Sequence, residues 1–342
     1  MKAKGPRFRS QPREMIVHLF KAIVLFAASA LAFSGCAETG KLTTASVKGP
    51  WFMDQGRYQE GIAALERELE TDPASAAAAY WLGRYHLALN RPEAATPLLE
   101  QAVHLAPMDA ESHYWLGVSY WAQGKSALER AQYQKVLALA PDHLGANLYL
   151  GHNHLDQGEW AQALAHYDHV LRTEPTQPDA LYHRAVALSR LKRRSEAKQT
   201  WKKFLERYPE GAMALAAADH LNALGDFDFR NIQVGKRRIA IGPIAFDHQN
   251  VVLPESGPVF DLIGEQLRTD PDFKLHIIVY LEGRPETAKR RSMAVRQAIL
   301  SRLPEIDPER LPLSWFGVAQ EVEAGGEFWA LEESVHFVTQ FQ

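Results

Sequence analysis

The chain has 342 residues, 46% of them hydrophobic and 23% charged. That is enough apolar matter for two or three packed domains and too much for global disorder. A formal net charge of −3 speaks against a nucleic-acid binder, and a single cysteine, Cys36, rules out a disulfide framework, a zinc–thiolate cluster or covalent haem attachment within one chain.

The first 35 residues read as an export signal rather than as fold. Lys2, Lys4, Arg7, Arg9, Arg13 and Lys21 precede an apolar run from Ala22 to Phe33. As a helix that run rises about 18 Å, short of a hydrocarbon core of roughly 30 Å. Met15 is an alternative start, because the stretch before it is long for a signal. The run ends in Phe33-Ser34-Gly35-Cys36, which resembles a bacterial lipobox, with Phe33 where the pattern prefers Leu. The resemblance implies cleavage before Cys36 and lipidation of its thiol. Multiple acyl chains at about 0.8 kcal/mol per buried methylene make a stable anchor. Ala37, rather than Asp, follows the cysteine, which under lipoprotein sorting points to the outer membrane, facing the periplasm. An ordinary cleaved signal and an uncleaved anchor are the alternatives. Residues 36–48 read as a linker.

Pro73, Pro107, Pro141, Pro175 and Pro209 recur every 34 residues, as do Gly49, Gly83, Gly117 and Gly151, with Ala185 next in register. Gly56, Gly124 and Gly158 keep the same phase. With Trp81-Leu82-Gly83, Trp115-Leu116-Gly117 and Tyr149-Leu150-Gly151, this closely resembles the tetratricopeptide repeat. The small residue lets helix A of each unit approach helix B, and the proline ends each unit. The expected fold over 49–225 is an all-α solenoid of about five helix-turn-helix units plus a capping helix at 211–225. Two departures stand out. Lys48, Gly49 and Pro50 fall inside the first helix A and should weaken it. Glu129 replaces the usual Ala of the third unit, so that its helix B should shift or bend.

The resemblance places function in a groove lined by the A helices. Tyr80, Tyr114, Leu148 and Tyr182 fall at the fifth position, Arg84, Val118 and His152 at the ninth, and Trp121 at the twelfth. This aromatic and apolar lining lacks the Lys/Asn pattern of a carboxylate clamp and suits a protein or peptide ligand. Several of these rings could instead pack inside the superhelix. His152, His154, His166 and His169 raise the question of a metal. His152 and His154, two apart on one helix, point about 200° apart, and His166 with His169 has no third ligand. The expectation is one packing histidine, His154, three surface ones, and no metal or cofactor.

Residues 226–236 read as a linker. Strands follow at 237–246, 273–281, 310–318 and 333–341, with helices at 254–271 and 286–303, an α+β order βαβαββ over 237–342. That order, the stretch 246–277 and the stretch 306–317 resemble the OmpA-like peptidoglycan-binding domain. The resemblance implies a ligand site at Glu282, where the family has Asp, and at Arg291. The family's intervening Asn is missing, so the alternative is a domain that keeps the fold and not the ligand. No phosphate-binding loop, nucleophile elbow or metalloprotease motif is present. The expectation is a non-enzymatic outer-membrane lipoprotein acting as an interaction scaffold, with peptidoglycan as a possible partner. The alternative is an assembly factor or chaperone for a secretion, pilus or polymer-export complex.

Overall fold

A computed structural model describes residues 44–341. The export signal, Cys36 and most of the first linker lie outside the described residues. The chain divides into two compact units, with the boundary after Asn153.

The first unit holds helices α1 (Thr44–Asp54), α2 (Tyr58–Thr71), α3 (Ala76–Ala88), α4 (Pro92–Leu105), α5 (Ala110–Ala122) and α6 (Ser126–Leu139), and α7 (Leu144–Asp156) up to Asn153. Each pair is punctuated at fixed phase. Ser75 and Asp109 accept hydrogen bonds from the backbone N–H of Ala78 (3.2 Å) and Ser112 (3.0 Å), capping α3 and α5. His143, next in the 34-residue phase, caps α7 through Nδ1, which accepts from the Ala146 N–H at 3.0 Å. The turn from helix A to helix B needs a left-handed residue, and Gly56, Asn90 and Gly124 supply it at φ +66°, +56° and +70°.

The first helix A is present with Pro50 inside it, and Gly49 lets it pack closely: a Cβ there would lie 2.3 Å from the Trp81 ring, and the Tyr85 hydroxyl donates to the Gly49 carbonyl at 2.7 Å. One expectation is corrected here. Glu129 does not displace its helix, since α6 keeps the fourteen-residue length of α4. The Glu129 side chain is buried and accepts from Asn153 Nδ2 at 3.1 Å, while Asn153 also donates to the Ser126 carbonyl and accepts from Arg130.

The second unit begins with the end of α7 and continues through α8 (Trp160–Thr173), α9 (Pro178–Arg190), α10 (Arg194–Arg207) and α11 (Ala212–Ala223). Gln177 caps α9 by accepting from the Ala180 N–H at 2.5 Å, and Lys192 takes the left-handed turn at φ +59°. The segment read as a linker is in part a strand, β1 (Arg230–Val234), hairpinned to β2 (Arg237–Ile241). It is tied to the capping helix: Asn222 donates to the Phe229 carbonyl at 2.7 Å and Asn231 to the Leu215 carbonyl at 2.7 Å. Phe229 and Ala240 share one core with Ala214, Ala217 and Leu221.

The remaining elements are α12 (Gly257–Thr269), β3 (Phe273–Leu281), α13 (Pro285–Arg302), β4 (Leu313–Phe316), β5 (Gln320–Ala324), β6 (Glu327–Leu331) and β7 (Glu333–Phe341). β3 lies between β4, parallel to it, and β7, antiparallel to it. Its alternate residues Phe273, Leu275, Ile277, Val279 and Leu281 are buried in one core with Phe260, Ile263, Val295 and Ile299 of the two helices. The expected βαβαββ order is present, but β1 and the β5–β6 hairpin are additions to it, and the strand expected over 237–246 ends at Ile241. Arg310 staples the layer, donating to the carbonyls of Phe273, Leu267 and Asp270 at 3.1, 3.0 and 2.8 Å.

Candidate functional site

In the first unit the sequence-predicted groove residues differ in burial. Tyr80, Arg84, Trp121, Leu148 and His152 are half-buried, while Tyr114 and Val118 are buried outright. Tyr114 packs edge-on against Trp115 (5.3 Å between centroids) and tilts against Tyr149 at 6.2 Å, and Trp121 lies 6.5 Å from Tyr149. Tyr114 and Val118 therefore build the floor, and the surface a ligand can touch is carried by their half-buried neighbours.

Arg84 has the most unusual environment of this set. Its guanidinium carbon lies 4.6 Å from the Trp81 ring centroid and 4.2 Å from that of Trp115, and Nη1 donates to the Tyr80 hydroxyl at 3.2 Å. Trp81 and Trp115 were not singled out as groove residues. Their signal was present, since each stands one residue before the Leu-Gly pair of its repeat. Burial raises the Tyr80 and Tyr114 phenols above their ordinary range, so both stay protonated donors. Burial would also raise the Glu111 carboxyl, but a 3.1 Å hydrogen bond from His143 Nε2 and the Arg84 charge hold it below the usual carboxylate range.

The four histidines of residues 152–169 sit in different surroundings. Burial pushes His152 down to about 4, leaving a neutral ring edge-on to Tyr149 at 5.7 Å. In the second unit, His154 is buried, hydrogen-bonded through Nδ1 to Glu159 and stacked on His166 at 5.4 Å. His166 is half-buried rather than on the surface, and burial pushes it down to about 4. Arg172 donates to His169 Nδ1 at 2.8 Å. Among the described residues no group of three or more His, Cys, Asp or Glu is arranged to hold a metal ion. Tyr182, the groove candidate of this unit, is half-buried with its ring 5.0 Å from Trp201 and 5.6 Å from Phe204.

Glu282 and Arg291 are not brought together. Glu282 is exposed at the end of β3. Arg291 pairs with Glu333, donates from Nε to Asn250 Oδ1 at 3.0 Å and lies over the Phe246 ring at 4.6 Å. It lines a cavity of about 140 Å³ with Arg230, Phe246 and Glu333, and Glu282 is not in the lining. Burial lowers Arg230 to about 10, and it is held by the Gln320 side chain and the Val335 carbonyl.

Comparison with known proteins bears on the helical part. Family models described as tetratricopeptide repeat match residues 48–96, 83–143 and 154–221, and these matches end at residue 221. No curated protein matches the chain. Among solved structures, MamA is 24% identical over 46% of this chain and 87% of its own, with a TM-score of 0.43. YrrB, described as a TPR protein with an unusual peptide-binding site, is 21% identical over 49% of this chain and 87% of its own, with a TM-score of 0.45. PilF from Pseudomonas aeruginosa is 19% identical over 66% of this chain and 90% of its own, with a TM-score of 0.49.

Proposed function

We propose that this chain, whose helical part is built of tetratricopeptide repeats, is a non-catalytic scaffold that docks an extended protein segment on the A-helix face of its first unit. The observation that carries this is the half-buried set Tyr80, Trp121 and Leu148 standing on a floor of buried rings at Tyr114 and Tyr149. Rigid aromatic platforms with a few polar handles lose little conformational entropy on binding and dominate interface energies. Panning the full chain against a phage-displayed random dodecapeptide library tests it. Enriched peptides whose binding falls about tenfold or more in Trp121→Ala fit the size of an aromatic anchor. No enrichment, or enrichment indifferent to that change, overturns the reading.

In this account the scaffold is held at the outer membrane, facing the periplasm, by acyl chains on Cys36. The support is the basic and apolar run that ends in Phe33-Ser34-Gly35-Cys36. Cys36→Ser should move the chain from the membrane fraction to the soluble one. The C-terminal region serves as a second docking module. For peptidoglycan to be its ligand, a stem-peptide carboxylate must take Arg291 away from Glu333. Sedimentation with purified sacculi, beside Arg291→Ala, separates wall docking from protein docking, as in a chaperone or assembly factor.

A further inference from the structure

The Arg84 guanidinium is the one groove charge whose environment asks for a ligand. It lies over the Trp81 and Trp115 rings, which cover part of it and restrict its orientation. Its Nη1 is spent on the Tyr80 hydroxyl, which is neutral. Its Nε is buried with no hydrogen-bond partner. Among the described residues Arg84 makes no ion pair. Glu111, whose carboxyl the Arg84 charge helps to lower, is hydrogen-bonded to His143 and makes no direct salt bridge to Arg84. The partners of this half-buried cation are therefore the two rings, the Tyr80 hydroxyl and the more distant charge of Glu111, and a guanidinium with a spare donor gains from a further acceptor. Val118 and His152 hold the same repeat position in the next two units, one apolar and the other neutral, so the positive charge is local to one point of the groove.

We infer that the segment docking in this groove is acidic at that point: an Asp or Glu side chain, or a chain-terminal carboxylate, reaches Nη2 of Arg84, flanked by apolar residues that lie on the neighbouring rings. The guanidinium is already restricted in orientation, so a planar carboxylate gains a charge-assisted bond at small entropic cost. This rests on the groove being the docking site, and it adds the chemistry of the partner.

Two pools of degenerate hexapeptides test it. They are identical except at one fixed position, Asp or Glu in the first pool and Asn or Gln in the second. Each is immobilised and probed with the full chain, with Arg84→Gln and with Arg84→Lys. The wild type should retain the acidic pool about tenfold better than the amide pool, the size expected of a charge-assisted hydrogen bond. Arg84→Gln should abolish that preference while still retaining the amide pool, and Arg84→Lys should keep part of it. Equal retention of both pools by the wild type overturns the inference and leaves groove docking standing. Retention of neither pool overturns both. Survival of amide-pool binding in Arg84→Gln also shows that the variant is folded. If that variant loses both pools, the preference of Arg84→Lys decides, and its absence counts against the inference.

Discussion

Asn153 Nδ2 donates to the buried carboxylate of Glu129 at 3.1 Å, across the position where the other repeats carry a small residue. The same amide donates to the Ser126 carbonyl at 3.0 Å and accepts from Arg130 Nε at 2.8 Å. A departure from the repeat that looked disruptive in sequence is thus absorbed by a polar residue on a neighbouring helix A. Asn153→Ala removes all three bonds and should cost about 2–3 kcal/mol, as for a buried network losing a member. Glu129→Ala/Asn153→Ala should cost less than the sum of its parts, because the carboxylate no longer needs that donor. Urea unfolding of the four proteins measures the coupling, and strict additivity would contradict it.

Lys192 occupies the left-handed turn that Gly56, Gly124 and Gly158 fill elsewhere, at φ +59°. A side chain there carries strain that glycine does not. Lys192→Gly should be neutral to stabilising, by up to about 1 kcal/mol, the unfolded-state entropy of glycine offsetting part of the relief. A thermal melt shows it. A clear fall in melting temperature would mean the lysine stem has a packing role.

His166 makes stability pH-dependent. His166 titrates at about 4 in the fold against 6.5 free, so between these values the unfolded chain binds a proton that the folded chain refuses. Its contribution is complete above about pH 6.5 and is lost as pH falls toward 4, by no more than about 2 kcal/mol once solvent screening of the half-buried ring is allowed for. His166→Gln should flatten the stability profile over that window. A variant profile parallel to the wild type would refute the assignment.

Arg310 closes three backbone carbonyls at the junction of α12 and β3. Arg310→Ala should destabilise the C-terminal core by about 2–4 kcal/mol, since the acceptors lose a charged donor. Arg310→Lys should recover only part of this, because an ammonium cannot span a fork of carbonyls. Amide exchange in β3 and α12 reports it locally, and unchanged protection in Arg310→Ala would contradict the role.

The helical repeat was legible because its constraints are steric and periodic. Gly117 must be small, since a Cβ there would stand 2.5 Å from the Tyr133 ring, and each closing proline ends a unit. The caps were not legible at His143 and Gln177, because neither residue type is a usual cap and only the 34-residue phase relates them to Ser75 and Asp109. β1 was missed because its polar Arg230, Asn231 and Gln233 dilute the alternation, and β5–β6 was passed over although Gly325-Gly326, at φ +64° and +80°, is a hairpin signal. At the groove, repeat phase told which residues face the same way. It could not tell that Tyr114 and Val118 sink into the floor, because burial there depends on the rings of Tyr149 and Trp115. For Glu282 and Arg291 the local pattern could not foresee that Glu333, 42 residues on, takes the arginine.

The measurement closest to the central claim is site-specific photo-crosslinking in the living cell. A benzophenone amino acid would be placed at Trp121 on the A-helix face and, as the comparison, at Leu128, which is exposed on α6. The scaffold account predicts a discrete protein adduct from position 121 that is missing from position 128. No adduct at 121, or the same adducts from both positions, would contradict it.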